Sequence, residues 1–349
     1  MTKQWSVAAD DRTGAFEVAA LLATTMGEGP VLVTVGAPAA TPAAEGAPAA
    51  VVDLQTRALP IDEARRAVAH LEPTDGWAGH KIDSTLRGNW AAELRARRQA
   101  GGRRVIVLAG WPDLGRTCVH GVVRLFDEPV GDLRQHLPEA SLVPHAAGLA
   151  AWWRSGGGIA ACDVPDNEAM HALAAVIAGF AADEVLVAGP AGPLAAVAAA
   201  GLRRAAAPPP RPSVRGTALV VCGSANITSH RQIERLRMAR PHLEVVAAPS
   251  PTAGGTDDGE IELSLGPALA VAQQARARLA ALQPETVVII GGDTAAAVLG
   301  DAPRRVGGMI APGMPWSRDE HDGGPLVITK AGGFGGLNAL SDLFAGDTG

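Results

Sequence analysis

The sequence predicts an α/β protein of two domains, each a largely parallel sheet flanked by helices, with the active site in the interdomain cleft. Three observations carry that expectation. Apolar runs of strand length alternate with helix-length segments through most of the chain, the signature of successive βαβ units. A length of 349 residues exceeds what one ordinary core organises. Between the two series, Ala205-Ala206-Ala207-Pro208-Pro209-Pro210-Arg211-Pro212 breaks the pattern, because successive prolines remove backbone donors and favour an extended linker. The expected organisation is a first domain over residues 1–204, a Pro-rich linker over 205–215 and a second domain over 216–349.

In the first domain, residues 5–9, 31–35, 50–54, 77–80 and 105–109 read as strands, and 16–26 and 61–71 as helices. A further helix starts near Gly88. Residues 36–48, rich in Ala, Pro and Gly, read as a surface connection. A strand at 159–161, a helix near 166–180 and a strand at 184–188 follow, and Gly189-Pro190-Ala191-Gly192-Pro193 turns the chain into an Ala-rich helix. The second domain reads as strands at 218–222, 243–247 and 286–290, helices at 229–239 and 268–282, and then Gly-rich turns. The acidic residues of the loop at 250–260 are expected to be solvated rather than metal-binding.

Composition narrows the function. The formal net charge is −6, which disfavours attraction to nucleic acid or to an anionic membrane but leaves room for a local basic pocket that takes a small acidic metabolite. Tyr is absent and aromatic residues make up 3% of the chain, so base-stacking platforms are not expected and Ala, Val and Leu must fill the core. Cys118, Cys162 and Cys222 lack metal-ligand spacing and read as buried thiols of a reducing cytoplasm. Residues 1–12 contain no apolar stretch of the secretory kind, and the uncharged run from 185 to 202 is broken by the Gly-Pro turn, so neither export nor membrane insertion is expected. Homo-oligomerisation is left open.

The densest chemistry is Lys81-Ile82-Asp83-Ser84-Thr85-Leu86-Arg87-Gly88-Asn89, which places a base, a carboxylate, two hydroxyls, a guanidinium and an amide on an expected strand-to-helix turn. Ligands bind at such turns in α/β proteins. The first strand ends in Asp10-Asp11-Arg12-Thr13-Gly14, where the carboxylates can orient hydroxyls and Gly14 permits close approach at a helix start. An aspartyl-phosphatase nucleophile is discounted, because Ala9 stands two before Asp11 where Asp-x-Asp is required. Arg57 and Arg116 are further anion ligands, since an arginine fork binds a carboxylate through two charge-assisted bonds.

In the second domain, Gly223-Ser224-Ala225-Asn226, Gly291-Gly292-Asp293-Thr294, Ala311-Pro312-Gly313-Met314-Pro315 and Lys330-Ala331-Gly332-Gly333-Phe334-Gly335 form glycine clusters. Bare backbone N–H groups can approach phosphate oxygens there, so the clusters indicate a nucleotide site. Neither a Walker A motif nor a dinucleotide fingerprint is present.

Taken in order, Ala9-Asp10-Asp11 with Thr13-Gly14-Ala15, the block from Lys81 to Asn89, Gly115-Arg116-Thr117, Gly223-Ser224 with Gln232, Gly291-Gly292-Asp293-Thr294, and Lys330 with Gly332, Phe334 and Gly335 resemble the four-carbon acid sugar kinases. The resemblance implies an acid-sugar-binding first domain, a nucleotide-binding second domain, and ATP- and Mg²⁺-dependent phosphorylation of an erythronate, threonate or 3-oxo-tetronate. It implies that Asp10, Asp11, Arg57, Lys81, Asp83, Ser84, Arg87, Asn89 and Arg116 line the substrate, with Lys81, Arg87 and Arg57 on its carboxylate. Asp83 is the first choice for general base and Asp11 its rival. Ser224, Gly291, Gly292, Asp293, Thr294, Gly313, Lys330, Gly332 and Gly333 fall to the nucleotide, with Asp293 reaching Mg²⁺ through water. The chain departs from the pattern at Glu17 where Asp is usual, at Ser229 where Thr is usual, and at Ala331 and Gly333 in place of Ser and Asn. The alternatives are a kinase for a different small hydroxy acid, or a catalytically weak nucleotide-binding or regulatory protein of the same fold.

Overall fold

The computed structural model describes residues 4–27, 29–36, 49–71, 75–202, 207, 209–214, 216–248, 266–320 and 324–345. All but Gly36 of the connection expected at 36–48, and the acidic loop at 250–260, lie outside the described residues, as does part of the linker. The chain folds as two compact units, Met1–Pro209 and Pro210–Gly349.

The first unit alternates β1 (Trp5–Ala9), α1 (Arg12–Met26), β2 (Val31–Val35), β3 (Ala49–Asp53), α2 (Ile61–Val68), β4 (Trp77–Lys81), α3 (Trp90–Gly101) and β5 (Arg104–Leu108). After an insertion come β9 (Ser141–Val143), α5 (Ala146–Arg154), β10 (Ile159–Cys162), α6 (Asn167–Ala178), β11 (Val185–Gly189) and α7 (Ala191–Ala200). The insertion is a small antiparallel sheet of β6 (Arg116–Val119), β7 (Val122–Leu125) and β8 (Glu128–Asp132), closed by the short α4 (Leu133–His136). The main sheet runs in the order β2-β3-β1-β4-β11-β5-β10-β9, and every pairing in it is parallel. Strands such as RVIVL and VLVAG are buried almost throughout, which is why they read as unbroken apolar runs. At the starts of β1 and β4 the indoles of Trp5 and Trp77 stack with centroids 5.3 Å apart.

Successive residues of β4 face opposite layers. His80 pairs with Glu93 of α3 at 2.9 Å with both side chains fully buried, while Lys81 reaches Glu17 of α1. The helices α1 and α3 therefore cover different faces. Chain direction across the sheet reverses between β1 and β4, since β2 and β3 lie on one side of β1 and β4 on the other. At such a switch point the loops diverge and leave a crevice.

The second unit has a parallel core, β13 (Glu244–Ala247), β12 (Ala218–Cys222), β14 (Thr286–Ile290) and β17 (Leu326–Lys330), extended by the antiparallel β16 (Met314–Asp319) and β15 (Arg304–Ala311). The helices are α8 (Ile227–Ala239), α9 (Gly266–Leu282), α10 (Gly292–Leu299) and α11 (Ala339–Leu343). One apolar cluster joins Val221, Val246, Ala272, Ala275 and Val298 on the α9 and α10 face, and another joins Val220, Ile233, Leu236, Ile328 and Leu340 under α8 and α11. Aliphatic side chains fill the first, and Phe344, Met314 and Cys222 join them in the second. The three cysteines are free and buried.

Two differences from the sequence reading have local causes. Helix α1 starts at Arg12 rather than near Phe16, because Asp11 caps it by accepting from the Gly14 N–H at 2.9 Å. The Gly-rich tail expected to be turns contains the β15–β16 hairpin. There the Trp316 ring lies so close to Gly307 that a Cβ would meet it at 2.0 Å, so the glycine serves packing rather than chain reversal.

Arg12 and Asp53, exposed by 2% and 0%, pair at 2.6 Å and tie the start of α1 to the end of β3. We expect Asp53→Ala to lower stability by about 3–5 kcal/mol in urea unfolding, because a buried charge loses its partner; a loss below about 1 kcal/mol would show that the pair contributes little.

Candidate active site

At the switch point of the first unit, three loops meet on one guanidinium. Arg57 follows β3, donates from Nε and Nη2 to the two oxygens of Asp10 at 2.8 and 2.9 Å, and reaches Asp11 Oδ2 from Nη1 at 3.0 Å. Asp83 Oδ1, from the loop after β4, lies 3.6 Å from Nη2. Burial works against the Arg57 charge, but Asp11, Asp10 and Asp83 more than offset it and hold the group protonated. Asp11 also accepts from Thr13 Oγ1 at 2.6 Å.

Asp83 is saturated. It accepts from Arg87 Nε and Nη2 at 2.9 Å each, from the backbone N–H groups of Thr85 and Arg87, and from the Thr85 hydroxyl. Burial alone would push its carboxyl up, yet the Arg87 bonds, the Arg57 charge and Thr85 hold it far below the usual carboxylate range. A carboxylate held this way is a weak base. The turn that sets up these bonds keeps Leu86 left-handed, at φ 63°.

Lys81 is 4% exposed and donates to the Ile82 carbonyl at 2.9 Å. It passes over Gly14, where a Cβ would lie 3.2 Å from Nζ and 2.6 Å from Asp11 Oδ1, so any larger residue would press on both. Glu17, one turn further along α1, lies 3.8 Å from Lys81 Nζ. Arg116, at the start of β6, is mostly buried, and Glu17 and Asp83 act on its charge.

The structure thus brings Asp10, Asp11, Arg57, Lys81, Asp83, Arg87 and Arg116 into one cluster. Arg57 and Asn89 have a different local task from the one expected. The Arg57 fork is closed on Asp10, as the Arg87 fork is on Asp83, but the Arg87 side chain is 63% exposed against 25% for Arg57 and is the more accessible guanidinium. Asn89 spends its amide nitrogen on the Thr56 and Leu59 carbonyls at 2.9 and 2.8 Å, so it pins the Arg57 loop. Ser84 sits half-buried in the same turn. Glu17 enters the cluster from a position that the sequence marks only as an Asp-to-Glu departure.

In the second unit the loops after β12, β14 and β17 converge. A Cβ on Gly332 would lie 2.3 Å from Ser224 Oγ, and one on Gly223 would lie 2.3 Å from Thr294 Oγ1. Gly291 caps α10 at φ 106°, followed by Gly292 and the exposed Asp293. Residues outside the expected set hold the cradle: Ser229 Oγ donates to the Gly332 carbonyl at 2.7 Å, and Gln232 Nε2 donates to the carbonyls of Phe334, Gly335 and Gly336. The Ser at 229 therefore keeps a hydroxyl in use. Asn226 caps α8 and faces Gly333. Gly313 belongs to the hairpin turn between β15 and β16, pressed against Phe334. Lys330 is fully buried with Nζ on the carbonyls of Ala331 and Gly332 at 3.1 and 3.0 Å; burial pushes it down to about 8, and among the described residues no carboxylate pairs with it.

A mixed-charge cluster at the switch point of the first unit and a bare-backbone cradle in the second are arrangements suited to small anions. Comparison shows what the chain is similar to. Residues 5–137 match the model of a sugar-binding N-terminal domain. The chain is 29% identical to the D-threonate kinase of Cupriavidus necator across 96% of both sequences. Among solved structures it resembles a Haemophilus influenzae protein of the DUF1537 family model, with TM-score 0.70 and 20% identity over 97% of this chain and 98% of the other. It also resembles a Salmonella typhimurium LT2 protein named as a tRNA synthase, with TM-score 0.75 and 20% identity over 99% and 100%. At that identity the last two likenesses carry the fold alone. Over nearly its whole length the chain is similar to a four-carbon acid sugar kinase. Among its described residues no helix is long and apolar enough to cross a membrane.

The Lys330 environment has a measurable consequence. Between pH 8 and 10.5 the unfolded chain holds a proton on this lysine that the folded chain has released, so the group's contribution to stability rises with pH across that window. We expect Lys330→Met to be more stable than wild type at pH 7, with that advantage shrinking by about 3 kcal/mol across the window in urea titrations. An advantage that stays constant with pH would show that burial does not depress the ammonium.

Proposed function

We propose that this chain is a cytoplasmic kinase that transfers a phosphoryl group from Mg·ATP to a hydroxyl of a four-carbon sugar acid of the erythronate, threonate or 3-oxo-tetronate type. The observation that carries this reading is the cluster at the first switch point, where cations suited to a carboxylate stand beside carboxylates suited to hydroxyls. A nucleotide-binding protein without a second substrate has no need of it. The relative in Cupriavidus necator, aligned over nearly its full length, is a D-threonate kinase by name, which supports the same reaction class.

Arg87 and Lys81 receive the substrate carboxylate, since Arg87 is exposed and Lys81, among the described residues, has only a carbonyl within hydrogen-bonding distance. Arg116 adds positive potential. Arg57, Asp10, Asp11 and Asp83 hold one another in fixed positions, so hydroxyls of the acid meet oxygens that do not have to reorganise. Ser84 is within the same turn and adds a hydroxyl.

On the nucleotide side, Ser224, Gly291, Gly292, Thr294, Gly332 and Gly333 offer backbone and hydroxyl donors to phosphate oxygens. The cradle fits that use, because the Cβ contacts at Gly332 and Gly223 leave the backbone bare. Lys330 brings an ammonium that lacks a counter-ion among the described residues and would gain one from a phosphate. A cavity of about 900 Å³ beside Gly335 and Gly336, walled by Val214, Ile310, Met314 and Leu343 and edged by Arg235 and Asn338, is the place for the nucleoside. Mg²⁺, when bound, neutralises phosphate charge, and Asp293 holds it through water.

The test is ADP release from Mg·ATP with a panel of C4 sugar acids, and with longer aldonates and neutral polyols as controls. Turnover confined to C4 acids is expected; ATP binding without turnover of any acid would favour the non-catalytic alternative. Arg87→Ala is expected to raise KM for the acid about 10- to 100-fold by removing charge-assisted bonds, with KM for ATP within about threefold. Gly332→Val should do the reverse, and equal weakening of both ligands by either variant would contradict the assignment of one ligand to each unit.

A further inference from the structure

Phosphoryl transfer to an alcohol needs a group to take the hydroxyl proton, and the carboxylates of the first unit differ sharply in their freedom to do so. Asp10 is fully buried with both oxygens on Arg57. Asp11 has Oδ1 on the Gly14 N–H and Oδ2 on Thr13 and Arg57. Asp83 carries the Arg87 fork and three further donors. Each lone pair that accepts from a guanidinium is withdrawn from the task of accepting a proton in the reaction.

Glu17 is different. Among the described residues its carboxylate takes part in no hydrogen bond, and its one ion pair, with Lys81 Nζ, is 3.8 Å long. The side chain is 18% exposed, so it is covered without being closed off. It stands on the face of α1 that Gly14 opens to Lys81, with the Arg116 side chain approaching from β6. We propose that Glu17 is the general base of this protein: its carboxylate receives the proton of the acceptor hydroxyl as that oxygen bonds to the γ-phosphorus, while the bond from phosphorus to the bridging oxygen breaks and its electrons leave with ADP. The proton then passes from Glu17 to water after product release, and Lys81 fixes the position of the carboxylate throughout.

The surroundings suit that role. Burial pushes the Glu17 carboxyl upward, Lys81 on β4 opposes this, Asp11 at the helix cap adds to it, Arg116 on β6 opposes it, and Asp83 after β4 adds to it. The net direction is up, toward the range in which a carboxylate accepts a proton effectively at neutral pH. Asp83, expected from the sequence to be the base, becomes a positioning residue that orients Arg87.

The proposal rests on the kinase reading, and its test separates the two. With the C4 acid that supports fastest ADP release from wild type, kcat and KM are measured from pH 5 to 9 for wild type, Glu17→Gln and Glu17→Asp, with acid binding followed by calorimetry and folding by urea titration. We expect Glu17→Gln to lower kcat by about 100-fold or more, to bind the acid within about threefold of wild type and to lose the acidic limb of the kcat profile. Glu17→Asp should recover part of the rate and regain the limb. If Glu17→Gln keeps kcat within threefold, or keeps the acidic limb, Glu17 is not the base although the kinase reading stands. A wild type that turns over no acid removes both.

Discussion

Arg57 is the constraint on which the first unit's site depends. Its guanidinium is the one group that touches carboxylates from the loop after β1 and approaches the carboxylate from the loop after β4, while its own backbone follows β3. Three loops that diverge at a switch point would otherwise bring like charges together, and at roughly 4 Å such repulsion amounts to several kcal/mol in a partly buried setting. With Arg57 in place the same charges become a frame. Asn89 supports this from behind by holding the carbonyls of Thr56 and Leu59, so an amide outside the reaction governs how well the frame is aligned.

The two units solve opposite electrostatic problems. In the first, Asp10, Asp11, Glu17 and Asp83 stand against Arg57, Lys81, Arg87 and Arg116 in a nearly balanced set. In the second, Lys330 is buried against carbonyls with no counter-charge among the described residues, an arrangement that costs stability. The net charge of −6 spread over the whole chain conceals both pockets.

Much of this was legible in the sequence. Strands buried on both faces appear as apolar runs whatever their neighbours, and the density of polar groups from Lys81 to Asn89 marked its loop without help from the fold. What stayed hidden depends on tertiary partners. Nothing local announces that Arg57 pairs with Asp10, 47 residues away, or that Asp83 is occupied by Arg87, since a carboxylate written in sequence carries no record of its donors. Glu17 lies six residues past Asp11 in a helix of mostly small and apolar residues, and only the route of Lys81 over Gly14 reveals what it faces. The β15–β16 hairpin was missed because glycine reads as a turn when its true task is to make room for Trp316.

One feature of the main sheet bears on how the protein is made. β11, the last strand of the first unit in sequence, sits in the middle of its sheet, between β4 and β5. While the ribosome is still translating residues before Val185, those two strands have a gap between them and each presents an unpaired edge, the kind of surface that recruits wrong partners. The strand that carries Lys81 therefore acquires its second neighbour only after more than half of the chain has been made.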